Sequence, residues 1–235
     1  MVPTRNSTMA PVGARQVSQV GRGDKRGLTA VIGCTVRGRL MPPQLIYKGT
    51  TRRCHPNFQF PDSWDITQNN NHWSTTETMM RYLKKVIIPW CKEWRRRYNL
   101  PANQRALLIL DVFRPHLDQA FNEACADANI LRVFVPPGCT GTLQPLDADG
   151  GVNYTIKQQM CNQFDDYADS DMDGRVDHNG HIPDSYQLDL RLSTIKPHQA
   201  QWFLNSFNAV AKNHALIRKG WEKTGIYDVF EKARE

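Results

Sequence analysis

The chain has 235 residues, enough for one large domain or one domain with an appendage, and enough to bury a real core. Its 40% hydrophobic content without low-complexity bias excludes fibrous and disordered classes. No apolar run approaches the length of a membrane span, and no apolar signal segment follows Met1. The net charge of +7 favours a polyanionic partner such as nucleic acid. Ten Lys and Arg against the single acid Asp24 place a net +9 in Met1–Phe60, leaving a net −2 for the remainder.

Residues 1–14 read as an irregular entry with Pro3 and Pro11. Arg15 to Val20 alternates like a short strand. Gly21 to Gly27 follows as a basic hairpin loop carrying Lys25 and Arg26. It fits neither G-x-G-x-x-G nor the G-x-x-x-x-G-K-[ST] loop that cradles phosphate. Leu28 to Val36 is β-rich, Arg37-Gly38 makes a tight turn before Arg39, and Leu40 to Tyr47 returns as a strand. Pro42-Pro43 pushes that strand towards a sheet edge, because proline cannot donate to a ladder. The first sixty residues thus read as an antiparallel meander with basic side chains.

Residues 49–73 read as a packed surface loop; Cys54-His55 and His72 lack the spacing of a four-ligand metal site. Ser74-Thr75-Thr76-Glu77 has capping-box spacing and opens a helix with the stripe Met79, Met80, Leu83, Val86, Ile87, Trp90, Cys91 and Trp94. Pro89 is expected to kink it. Arg95-Arg96-Arg97 at its end suits either the helix dipole or contact with DNA.

A nearly apolar strand, Ala106 to Phe113, is interrupted only by Asp111. Leu117 to Ala128 marks an amphipathic helix, and Val133 to Val135 the next strand. A strand–helix–strand run of this length implies a right-handed crossover and parallel pairing. A Pro/Gly/Thr loop then ends in Asp147, at or just before a helix marked by Val152, Ile156, Met160, Phe164 and Tyr167. Asp165 to Asp189 reads as an acidic linker. Helices follow over Lys196–Lys212 and around Arg218-Lys219-Gly220-Trp221, with a glycine stop at Gly225. The six cysteines form no C-x-x-C pair, which points to unpaired thiols in a reducing, intracellular compartment.

A carboxylate near the end of a buried strand is costly unless something compensates its charge. If Asp111 and Asp147 met at ~4 Å without a cation, repulsion would cost ~4 kcal/mol at an effective dielectric near ~20. A divalent ion bound by both would remove that cost. A meander, a crossover helix, a strand with an internal acid and a helix with an acid near its start make the layout of a ribonuclease-H-like nuclease. Such enzymes join distant carboxylates around two divalent ions, which activate a water and stabilise the leaving oxygen.

The blocks Gly23-Asp24-Lys25-Arg26, Leu28-Thr29-Ala30-Val31, Pro42-Pro43-Gln44-Leu45-Ile46-Tyr47-Lys48-Gly49 and Arg53-Cys54-His55-Pro56 occur in order. His72-Trp73-Ser74, the strand ending in Asp111, and Leu143-Gln144-Pro145-Leu146-Asp147 continue the series. Together they resemble the DDE superfamily endonuclease domain of pogo/Tigger/jerky-like transposases and their domesticated relatives, from about residue 2 to about 165.

The resemblance implies an α/β, ribonuclease-H-like fold, a mixed sheet with flanking helices, over residues 1–168. An acidic linker over 169–190 and a small helical C-terminal region over 191–235 would follow. It implies a DNA endonuclease acting with Mg²⁺ or Mn²⁺ in the nucleus. DNA and a second copy of the chain are the implied partners. Asp111 and Asp147 correspond to the family's second and third catalytic, metal-binding carboxylates, and His116 to a histidine that contacts the scissile phosphate or simply packs. Lys25, Arg26, Arg37 and Arg39 are the candidate nucleic-acid contacts.

Two departures from the family matter. Its leading aspartate lies in a strand ahead of the block that Val2-Pro3 resembles, so this chain is expected to lack the first catalytic strand. Ala148-Asp149-Gly150-Gly151 is about two residues longer than the family's usual connection, an insertion expected either to rotate Asp147 or to let Asp149 compete with or replace it. The alternative reading is therefore a catalytically inactive DNA-binding or protein-interaction module, or a truncated form of an ordinary transposase. Asp169 to Asp177 also imitates a calcium loop, but Gly180 stands where the bidentate glutamate belongs; an acidic linker is the preferred reading.

Overall fold

Residues 27–148, 150–176, 181, 183 and 186–232 are described by the computed structural model. The expected strand Arg15–Val20, the basic residues Lys25 and Arg26, and Asp149 lie outside them.

Strand β1 (Leu28–Val31) is followed by the short strands β2 (Cys34–Thr35) and β3 (Arg39–Leu40), then β4 (Gln44–Lys48). β2 and β3 pair as a hairpin around Gly38, whose φ of +78° suits glycine alone. The Gly38 carbonyl accepts a 2.6 Å hydrogen bond from His214 Nδ1, so the hairpin tip is tied to the C-terminal helices.

β4 is not an edge strand. It lies between β1, antiparallel to it, and β5 (Asp65–Asn69), parallel to it. Pro42 and Pro43 fall just before its first residue, so no ladder hydrogen bond is lost and the strand is free to be central. Leu45 and Ile46 are fully buried. β5 lies inside the stretch read as a loop. Its side chains are mostly polar, and it is held in the sheet by specific bonds rather than by apolar alternation. Asp65, fully buried, accepts from Gln44 Nε2 at 2.7 Å and from Arg81 Nε at 2.8 Å, and lies 3.2 Å from Lys85 Nζ.

Helix α1 (Thr76–Tyr82) leads into a π-helical turn, Leu83–Ile87, and then α2 (Ile88–Arg97). The cap lies one residue later than the sequence suggested. Thr75 Oγ1 accepts from the Thr78 N–H, and Thr78 Oγ1 accepts from the Thr75 N–H, so a threonine replaces Glu77 in the reciprocal pair. The wider turn ahead of Pro89 is where the helix accommodates the missing proline donor. Arg95 sits in the last turn of α2. It is buried and donates to the carbonyls of Gln104, Ala128 and Asn129 at 2.8–3.2 Å, tying α2 to the loops flanking the next strand pair.

β6 (Ala106–Asp111) and β7 (Ile130–Val135) pair in parallel, as the crossover predicts, with α3 (Gln119–Asp127) between them in sequence. β6 ends at Asp111 itself. Asp118 Oδ1 caps α3 by accepting from the Ala120 and Phe121 N–H groups. α4 (Thr140–Leu143), a single turn, precedes the long α5 (Val152–Asp173). α5 continues well into the acidic stretch, because nothing breaks it before Gly174. Asp169, Asp171 and Asp173 are therefore helical rather than calcium-loop residues. α6 (Leu192–Lys212), α7 (His214–Lys223) and α8 (Ile226–Lys232) complete the described fold, with Gly225 in the left-handed region between the last two.

Two apolar clusters hold these parts. Leu45, Tyr47 and Trp64 pack with Val152 and Ile156 of α5, Phe203, Phe207 and Val210 of α6, and Ile217 of α7. Met79, Tyr82, Leu83, Val86 and Ile87 pack with Phe121, Cys125 and Ile130 under β6 and β7. The architecture is mixed α/β with flanking helices, consistent with a ribonuclease-H-like domain. Among the described residues, no backbone ladder joins β1 to β6. Both strands instead line one cavity of about 310 Å³.

Candidate active site

Asp111 is the last residue of β6, opposite Val135 of β7. The carboxyl ends of parallel strands are where open α/β sheets present ligand-binding groups. Its side chain is about two-fifths exposed, and its Oδ1 lies 3.1 Å from His116 Nδ1. The same Nδ1 is 3.1 Å from the Asp111 carbonyl. Both neighbours are acceptors when the carboxyl is ionised, so Nδ1 carries a proton and donates.

A 3₁₀ turn, Arg114–Leu117, brings His116 back under the strand end. The ring is buried beside Phe113 and Phe121, at centroid distances of 5.5 and 6.0 Å. The His116 carbonyl accepts from Arg132 Nη1, which also donates to Asn122 Oδ1. His116 thus packs in the core and orients Asp111 at once.

Asp147 is exposed, in the loop between α4 and α5. Asn153, in the first turn of α5, donates to its Oδ1 at 2.7 Å, while the Asn153 N–H donates to the Leu146 carbonyl at 3.1 Å. These two bonds fix the carboxylate against the helix start. The Asn153-Tyr154-Thr155 triplet, which matches a glycosylation acceptor, thus has its amide engaged with Asp147. Sequence reading missed both Asn153 and Gly220. A Cβ on Gly220 of α7 would come within 3.0 Å of the Pro145 carbonyl oxygen, so only glycine lets α7 support the Asp147 loop this closely. That contact leaves no local sequence signal.

Asp111, His116, Gln144, Leu146, Asn153 and Trp221 line the cavity between β1 and β6. Among the described residues, Gln144 Oε1 and Ser74 Oγ, also at this cavity, are buried without a hydrogen-bond partner. Asp111 and His116 are in direct contact, and Asp147 reaches the cavity wall through Asn153. Among the described residues, no three His, Cys, Asp or Glu side chains gather closely enough to hold a metal ion. The donors offered here, carboxylate oxygens and an orphaned amide oxygen, are hard ligands of the kind Mg²⁺ and Mn²⁺ select, so they fit such an ion in chemical type. Arg37 and Arg39 lie elsewhere, on the β2–β3 hairpin, over the rings of Tyr98 and Trp94.

The chain resembles "Pogo transposable element with KRAB domain" of Mus musculus at 33% identity over 124 residues, covering 53% of this chain and 19% of the relative. The Homo sapiens counterpart gives the same figures. "MFS-type transporter clz9" of Cochliobolus lunatus is 25% identical over 125 residues, 53% of this chain and 13% of that protein. No helix among the described residues is long and apolar enough to cross a membrane. "Jerky protein" of Mus musculus is 27% identical over 77 residues, 33% of this chain and 13% of the relative. The chain therefore spans a fifth or less of these relatives. No solved structure gives a significant match. The profile of the DDE superfamily endonucleases matches residues 25–220, most of the chain, and the protein belongs to that family.

Proposed function

We propose that this chain is a transposase-derived endonuclease domain that binds DNA and cleaves phosphodiesters when its carboxylate set is complete. The observation that carries the reading is Asp111 at the end of β6, held by His116, at one cavity with the Gln144–Asn153 segment that carries Asp147. Asp111 and Asp147, with Gln144 Oε1, would hold Mg²⁺ or Mn²⁺. Such ions activate a water and stabilise the leaving oxygen. His116 fixes the Asp111 carboxylate through Nδ1–H. Asn153 does the equivalent for Asp147. Net charge of the sign that attracts DNA supports the substrate class, and a DNA substrate implies a nuclear location.

The test is nicking of supercoiled plasmid with Mg²⁺ or Mn²⁺, comparing the wild type with Asp111→Asn. Activity lost in the variant is the expected result; full activity in it would end the assignment. A second reading, a silent DNA-binding module, draws on the two-carboxylate character of the described site. It predicts salt-sensitive DNA binding without cleavage at any metal concentration.

A further inference from the structure

A second concave surface lies away from the carboxylates. It is a cavity of about 570 Å³ that shares no lining residue with the one at Asp111. Its walls carry Arg37 and Arg39 from the β2–β3 hairpin, Tyr98 at the end of α2, Arg218 from α7, and Tyr227 and Phe230 from α8. Glu231 is the single acid of the lining.

The arginines are arranged in a particular way. Arg37 Cζ sits 5.3 Å from the Tyr98 ring centroid, and Arg39 Cζ sits 5.6 Å from that of Trp94. Behind them Trp90, Trp94 and Tyr98 form a ladder, with centroid spacings of 6.0 and 4.8 Å. A guanidinium laid on a ring has one face covered, while its N–H edge stays free to pair with an anion in the plane. Among the described residues, none of Arg37, Arg39 and Arg218 has a carboxylate within salt-bridge distance. Three cations against one acid in the lining leave the cavity a net positive charge among the described residues, which favours an anionic ligand.

The rings specify more than an anion. Tyr98, Tyr227 and Phe230 give the same cavity three aromatic side chains, and its volume suits a small organic group. Guanidinium edges with aromatic faces are the recognition chemistry of unpaired nucleotides, which offer phosphate and base together. A duplex hides its base faces and would use only the charges.

We infer that this cavity binds a nucleotide of single-stranded DNA, with Arg37, Arg39 and Arg218 on phosphates and Tyr98, Tyr227 or Phe230 against a base. The inference rests on DNA being the partner and gives the protein a single-strand contact separate from the cavity at Asp111.

The experiment is fluorescence anisotropy of the whole chain with a short labelled oligothymidylate over a series of salt concentrations. Arg37→Gln combined with Arg218→Gln is expected to weaken binding at least about tenfold and to lower the log–log salt slope by about 1.4, at about 0.7 per lost single-strand phosphate contact. Tyr227→Leu is expected to weaken binding about tenfold with an unchanged slope, because stacking releases no counterions. Unchanged thermal midpoints keep folding out of the comparison. Wild-type binding that is indifferent to the arginine pair overturns the pocket alone. Failure of the wild type to bind either single or double strands overturns both the pocket and the DNA reading. A duplex that competes equally, or a phosphotyrosine peptide that binds where the oligonucleotide does not, also overturns the single-strand assignment.

Discussion

Asp65→Ala removes the acceptor on which β4, β5 and the first helix converge. The three donors differ in environment, and that difference sets the size of the effect. Gln44 is fully buried, and its amide bonds Asp65 at 2.7 Å and the Thr78 carbonyl at 2.8 Å. Losing a buried bond to a charged acceptor costs about 1.5–3 kcal/mol. The Arg81 and Lys85 side chains are 45% and 42% exposed, so each regains water and contributes only about 0.2–1 kcal/mol. The Gln44 bond therefore dominates, and the total is about 2–5 kcal/mol. For a domain of this size that lowers the thermal midpoint by roughly 2–4 °C per kcal/mol. Urea unfolding followed by far-UV circular dichroism measures the loss. Asp65→Asn, which keeps an acceptor for Gln44, should recover much of it, whereas Arg81→Met should cost less than about 1 kcal/mol. A loss below about 1 kcal/mol for Asp65→Ala, or an Arg81→Met effect equal to it, would refute the reasoning.

Other perturbations test the site and its supports. Gly220→Ala gains up to about 1 kcal/mol in helix propensity but must push the Pro145 carbonyl away, an overpacking cost of about 1–3 kcal/mol. It should lower both the thermal midpoint and plasmid nicking, while Gly141→Ala, which faces open space, should leave stability unchanged or raised. Arg95→Ala leaves three carbonyls without their donor and should cost about 3 kcal/mol in urea unfolding; an effect within about 0.5 kcal/mol would show that water replaces it fully. Burial, with help from Arg52 and Lys196, holds the His55 imidazole below its ordinary 6.5, although its bond to Gln68 acts the other way. The unfolded chain then takes the proton first, so stability is full above pH 6.5 and falls as pH drops from there through the lower folded value. His55→Gln should flatten that part of a pH–stability profile.

Apolar periodicity made α3, α5 and α6 legible, because in each the buried face follows the helical period, and continuous apolar runs marked β6 and β7. β5 was not legible, since its polar residues Asp65 and Gln68 are satisfied by Gln44, Arg81, Lys85 and His55, which lie in other segments of the chain. Pro42-Pro43 misled because proline reports where a ladder cannot donate, not where the strand sits in the sheet. The acidic run misled in the opposite way: repeated aspartates suggested a solvated loop, but helix α5 needs only the absence of a breaker to reach Asp173. Asp111, His116 and Asp147 stood out through the family blocks. Asn153 and Gly220 did not, because an amide at a helix start and a glycine in a helix gain their meaning only from the loop packed against them.

The lack of a ladder between β1 and β6 among the described residues has a mechanical consequence. Hydrogen-bonded strands move together, since shifting one costs a ladder of bonds; among the described residues, β1 and β6 share no such ladder and face one cavity. The β1–β4–β5 piece, with its helices, and the β6–β7 piece that carries Asp111 are thus coupled through softer contacts than either holds within itself. Hydrogen exchange should show their amides protected in two groups with different opening free energies. Asp111 rides on one group and the Asp147 loop, seated on α7, is braced by the other, so a small relative slip of the two pieces alters the distance between the carboxylates.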